Sequence, residues 1–137
     1  MIKFHTIGQI EKQYVMEDAV VDTEVFNGAF GSVSSGKFTP AANATKAIMK
    51  IEVCDNAGLD KYPIAAGSHV RIVDFAKING QYIDIIGYPL PDTFAVNDKL
   101  VSKADGSLET GGSAAPYYEV TEIIGNNEGV VAKVVAE

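Results

Sequence analysis

The sequence predicts an all-β fold, a small single-domain β-barrel or β-sandwich with an extended N-terminal arm. Three observations carry that expectation. Short runs alternate apolar and polar residues with period two, nearly every run is closed by Gly, Pro, Asn or Asp, and helical periodicity is weak almost throughout. The 137 residues suit one domain, since domains commonly run to roughly 100–150 residues.

Taken in chain order, residues 1–18 form the arm, with apolar Ile2, Phe4, Ile7, Ile10, Tyr14 and Val15 in neither a strand nor a helix pattern. Residues 19–137 form the β domain. Its runs are Val20–Gly28, Ala29–Phe38, Ala47–Cys54, Val70–Phe75, Gln81–Tyr88, Tyr118–Ile124 and Val130–Val135. The turns between them are as informative. Asn79-Gly80 is the strongest short hairpin signal in the chain, and Ala104-Asp105-Gly106-Ser107 predicts a second hairpin. Ser32-Val33-Ser34-Ser35-Gly36 reads as a hairpin turn, Asp55–Gly58 ends a strand, and Gly125–Gly129 joins the last two. Pro89-Leu90-Pro91 is a stiff extended connection, because each proline drives its predecessor out of the helical region. Gly111–Pro116 is a loop.

Charge narrows the partners. The formal net charge is -7 and Arg71 is the only arginine. Binding to nucleic acid needs Lys and Arg to displace counterions, so no nucleic acid is expected as a partner. An anionic membrane surface is disfavoured for the same reason. The first ten residues lack the continuous apolar stretch of a secretory leader, and no run reaches the ~18 apolar residues of a membrane span. The expectation is a protein that remains where it is made, in a cytoplasm or an assembly built there.

Candidate chemistry is sparse. Two distant histidines, His5 and His69, and one cysteine, Cys54, do not make a three- or four-ligand metal set. Cys54 sits in an alternating run and reads as a small core residue. Ser32–Gly36 lacks the strand–turn–helix setting of a serine nucleophile. Asp55–Asp60 misses the calcium-loop pattern and its closing glutamate. The acidic stretch Glu17, Asp18, Asp22 and Glu24 reads as a solvated face, or as a contact for a basic surface. No cofactor, no metal and no enzymatic activity are expected.

The second half has a family likeness. It lies in Ile64-Ala65-Ala66-Gly67-Ser68-His69-Val70-Arg71-Ile72, in Phe94-Ala95-Val96-Asn97-Asp98-Lys99-Leu100-Val101 followed by Ala104-Asp105-Gly106-Ser107-Leu108-Glu109-Thr110-Gly111, and in the closing Tyr117–Ile124 and Val130–Val135. These segments resemble the small β-rich decoration proteins (cement or head-fibre base proteins) that tailed phages encode beside the major capsid protein. The likeness covers about residues 19–137. It departs where Asn97 stands for the usual glycine, a residue that also tolerates a left-handed backbone.

The resemblance implies a β body that binds the outside of an icosahedral shell, stabilises contacts between major capsid subunits and has no catalytic residues. The implied location is the virion, on the capsid surface, after assembly in the host cytoplasm. Implied partners are the major capsid protein and neighbouring copies of this chain as a dimer or trimer. Capsid contact is assigned to Ile2, Phe4, Ile7, Ile10 and Tyr14, because apolar segments without a pattern of their own often order only on binding. The alternative for the arm is an extra edge strand folded on its own domain. Two rival functions stay open. One is another virion part, such as a tail-tube or fibre-base protein. The other is a carbohydrate-binding module, for which Tyr62, Tyr88 and Tyr117 are the conceivable aromatics.

Overall fold

The computed structural model describes residues 2–4, 16–49 and 63–136. Ile7, Ile10 and Tyr14 of the arm, His5, Cys54, the turn at Asp55–Gly58 and Tyr62 lie outside the described residues.

Among the described residues every regular element is a strand, apart from one 3-10 turn. The strands are β1 (Ile2–Phe4), β2 (Met16–Val21), β3 (Val25–Phe26), β4 (Phe30–Ser34), β5 (Lys37–Pro40), β6 (Lys46–Ile48) and β7 (Pro63–Ile64). They continue with β8 (His69–Asp74), β9 (Tyr82–Ile86), β10 (Lys99–Ser102), β11 (Leu108–Thr110), β12 (Tyr117–Ile124) and β13 (Gly129–Val135). The all-β expectation holds, with a small closed barrel and additional sheets. Strands β2-β5-β4-β6-β8 close a five-stranded barrel, and β1-β9-β13-β12-β10-β11 make a six-stranded sheet. Strands β3 and β7 pair separately.

Two cores follow. Ala19, Val21, Ala29, Phe38, Ile48, Val70 and Ile72 fill the barrel, with Val25 and Ile64 from the short β3–β7 pair. Phe30, Ala47, Val73 and Phe75 pack instead against sheet residues Ile83, Ile85, Leu100, Tyr118, Val120 and Val134. Neighbouring residues of one strand therefore serve different cores, Ile72 the inner and Val73 the outer. The barrel wall facing the sheet is buried on both sides, and there the alternation gives way to the apolar pair Ile72-Val73.

Polar groups trapped at the seam are satisfied. Tyr118 Oη donates to the Ala44 carbonyl at 2.9 Å. Ser102 Oγ accepts from Ala44 N at 2.8 Å and donates to the Ala41 carbonyl at 2.9 Å. These bonds tie the segment between β5 and β6 to the sheet. The β10–β11 turn adds a further clasp, because Phe30 N donates to the Gly106 carbonyl at 2.8 Å.

The hairpin expected at Ala104–Ser107 forms, with Ser102 opposite Leu108. Ser107 donates to Asp105 Oδ1 from both Oγ (2.6 Å) and N (3.0 Å), and these bonds hold the Asp105 carboxyl below its usual range. The Ser35-Gly36 turn joins β4 to β5 with φ of 52° and 76°, both in the left-handed region that a type I′ hairpin needs. Asn97 adopts φ 78°, a left-handed backbone that asparagine tolerates.

The Asn79-Gly80 hairpin does not form. Strand β8 belongs to the barrel and β9 to the sheet, and they do not pair. A 3-10 turn over Phe75–Ile78, capped by Asp74, separates them. Asn79 has φ -53° and ψ 130° while Gly80 has φ 86°, and Gln81 N bonds back to the Ile78 carbonyl. That is a type II turn, which redirects the chain instead of folding it back in register.

The N-terminal boundary also moves. Met16, Glu17 and Asp18 belong to β2, opposite Val73, Ile72 and Arg71 of β8. Residues 2–4 are an edge strand, with Ile2 opposite Ile85 and Phe4 opposite Ile83.

Candidate contact surface

Of the arm residues expected to touch a partner, Ile2 is placed otherwise. Its side chain is 0% exposed and belongs to the core between sheet and barrel. Burying an isoleucine contributes about 1.5–3 kcal/mol to the fold, which accounts for an apolar residue at that position. Phe4 lies in the same edge strand. Ile7, Ile10 and Tyr14 lie outside the described residues.

The six-stranded sheet turns one face outward. Alternation along β9 turns Ile83 and Ile85 inward and leaves Tyr82, Asp84 and Ile86 outward. The same alternation turns out Lys133 from β13, Tyr117 and Glu119 from β12, and Lys99 and Val101 from β10. Register aligns Tyr82, Lys133, Glu119 and Lys99 as one rung across four strands. Opposite charges therefore alternate along the rung, the arrangement favoured between cross-strand neighbours. Lys99 Nζ lies 4.9 Å from the centre of the Tyr117 ring, a cation–π contact that steadies both at the sheet face. Tyr82 is 42% exposed, and Val96, in the loop leading into β10, is 47% exposed.

The next rung pairs Asp84, Val131 and Glu122. A bulge between Val120 and Glu122 leaves Thr121 outside the pairing, and Thr121 Oγ1 donates to the Val131 carbonyl at 3.0 Å. The face thus mixes aromatic, aliphatic and both signs of charge. It suits a protein surface better than it suits a polyanion.

The acidic stretch is split by the fold. Glu17 shares a strand face with Ala19 and Val21, and Lys46 shares one with Ile48, so both sit at an end of the barrel interior. Their ion pair, 2.8 Å long, spans that end. Asp18 stands opposite Arg71 in the ladder, and Asp22 and Glu24 are exposed between β2 and β3. Glu17 thus has a lysine as its ion-pair partner.

His69 opens β8 and is exposed. Among the described residues no group of three or more His, Cys, Asp or Glu is placed to hold a metal ion. Tyr88 packs edge-on to Phe26 at 5.4 Å, and partial burial followed by the nearby Asp105 charge pushes its hydroxyl up to about 12. Tyr88 and Tyr117 therefore engage protein neighbours. The rung was not legible in the sequence, because Tyr82 and Lys133 are far apart along the chain and only register brings them side by side.

Comparison with protein-family models, with curated proteins and with solved structures found no match.

Proposed function

We propose that this chain is a non-enzymatic phage capsid decoration protein that binds the outer surface of the head and stabilises contacts between major capsid subunits. One observation carries the reading. Residues 97–111 and 117–135, which hold most of the family likeness, contribute four neighbouring strands, β13-β12-β10-β11, to one sheet. These segments share a structural unit whose outward face bears the charged rung, while residues 64–72 of the likeness fall in β7 and β8. The two-core β body adds support, since a cement protein has to present a fixed surface many times over a symmetric shell. Weak contacts repeated over clustered copies give strong attachment. Phe4, Ile7, Ile10 and Tyr14 remain the proposed arm contacts, joined by Tyr82 and Lys133 on the sheet face, while Ile2 serves the core instead. The partners proposed are the major capsid protein and adjacent copies, on the capsid surface of virions assembled in the host cytoplasm.

The test is binding of the purified chain to heads that lack it. Saturable binding to the outer surface is expected, with affinity lowered about tenfold or more by combined substitution of Ile7, Ile10 and Tyr14 with serine. Absence of binding under conditions where native particles retain the protein rejects the proposal.

A further inference from the structure

We infer that strand β1 is exchangeable, and that its seat on β9 accepts residues 2–4 of a second copy of this chain. The seat is an edge of the six-stranded sheet. β1 pairs with β9 and with no other described strand, through Ile2 opposite Ile85, Lys3 opposite Asp84 and Phe4 opposite Ile83. Ile2 fills a place in the core with no exposed surface. A second copy offers the same three residues, so the seat fits them identically, and the occupant needs no property beyond those already shown.

Tether length makes the exchange possible in space. Residues 5–15, eleven in all, join β1 to β2. A chain of that length spans at most about 40 Å, against a radius of gyration of about 14 Å for a domain of this size. Eleven residues are thus enough, by length, for β1 to reach a neighbouring copy. Opening breaks one short ladder at a sheet edge, while the barrel and the β9–β13 ladder stay closed. Exchange rebuilds the same ladder and buries the same isoleucine, so its only net cost is that of bringing two molecules together. That cost falls as local concentration rises, so copies held side by side would be linked by their N-terminal strands.

The experiment uses the full chain with Cys54→Ser. One preparation carries Ile2→Cys and a second carries Ile85→Cys. The two are mixed under native conditions at increasing concentration and oxidised, and disulfides are mapped by mass spectrometry. Ile85 is 0% exposed, so only a strand seated on β9 reaches that position. A heterodimer joined between positions 2 and 85 is expected, its share growing with protein concentration. A control chain carries both substitutions and is expected to close within itself when dilute. Intrachain closure of the control without heterodimer at any concentration overturns the inference. Failure of the control to close overturns it too, because β1 is then not seated on β9. Phe4→Cys with Ile83→Cys, the register pair two residues along, repeats the test if either first variant folds poorly.

Discussion

The ring of Phe30, on the barrel wall, lies 5.0 Å from the ring of Tyr118, on the sheet, tilted by 59°. Phe75 completes the group, stacked on Phe30 at 5.5 Å and edge-on to Tyr118 at 5.2 Å. These three rings fasten the barrel to the sheet. Tyr118→Phe keeps the rings and removes the hydrogen bond, leaving the Ala44 carbonyl unpaired in a buried place. A loss of about 1–2 kcal/mol is expected. Tyr118→Ala also opens a cavity and should cost about 3–5 kcal/mol. Urea unfolding followed by circular dichroism measures both, with about 3–4 °C of melting temperature per kcal/mol for a chain of this length.

Alkaline pH probes the same seam. Burial, and then the nearby Asp74 charge, push the Tyr118 hydroxyl well above the ordinary tyrosine value, and Tyr88 is pushed up to about 12. In the unfolded chain both ionise near 10. The native state therefore holds more protons above pH 10, and its stability falls as pH rises past that point. Below pH 10 these two groups contribute no pH dependence. Denaturant midpoints measured from pH 8 to 11.5 should hold and then fall, with a shallower fall in Tyr118→Phe. An unchanged slope in that variant would remove Tyr118 as the cause.

Gly31 and Gly36 separate two reasons for glycine. A Cβ on Gly31 would run into the Thr39 carbonyl oxygen and stand 2.7 Å from Phe38 Cζ, so β4 and β5 would have to part. Gly31→Ala is expected to cost about 3 kcal/mol or more, or to prevent folding. Gly36 faces open space with φ 76°, so Gly36→Ala should cost only about 1–2 kcal/mol. Gly36→Asn should be nearly neutral, since asparagine accepts that backbone. Thermal melts of the three variants rank them.

Ser102 is 3% exposed and bonded at both its donor and its acceptor side. Ser102→Ala orphans Ala44 N and the Ala41 carbonyl together. About 1–3 kcal/mol of destabilisation is expected, with faster hydrogen exchange at Ala44.

The Glu17–Lys46 pair should behave oppositely. Its side chains are 41% and 26% exposed, so water and salt screen it. Lys46→Met is expected to change stability by less than about 1 kcal/mol, and the difference should shrink further in 1 M salt.

Local signals were legible where the structure they encode is local. Asp105-Gly106 and Ser35-Gly36 each specify a turn, and the flanking residues pair as the turn dictates. Asn79-Gly80 is equally strong as a signal, yet a turn does not state which sheet receives the next strand. With Asn79 at negative φ the chain crosses from barrel to sheet. Ile2 was unreadable for another reason: a three-residue strand is too short to display a period. Position 73 breaks the alternation, because that end of β8 packs against the sheet, while His69 and Arg71 on the same strand face meet solvent. On the candidate surface, Tyr82 and Tyr117 each looked like a strand residue, and the rung from Tyr82 to Lys99 depends on the register of four strands, which no local pattern encodes.

The double-sided barrel wall has a consequence for how the molecule opens. Ala47 and Val73 belong to the seam, while Ile48 and Ile72, their immediate neighbours, belong to the barrel interior. Neither body can come apart without uncovering strands that the other also needs. The two should therefore behave as a single foldon, with amides in β6 and β8 exchanging only through whole-molecule unfolding. Substitution meets the same constraint: a change in the wall, at Ile72 or Val73, acts on two cores at once.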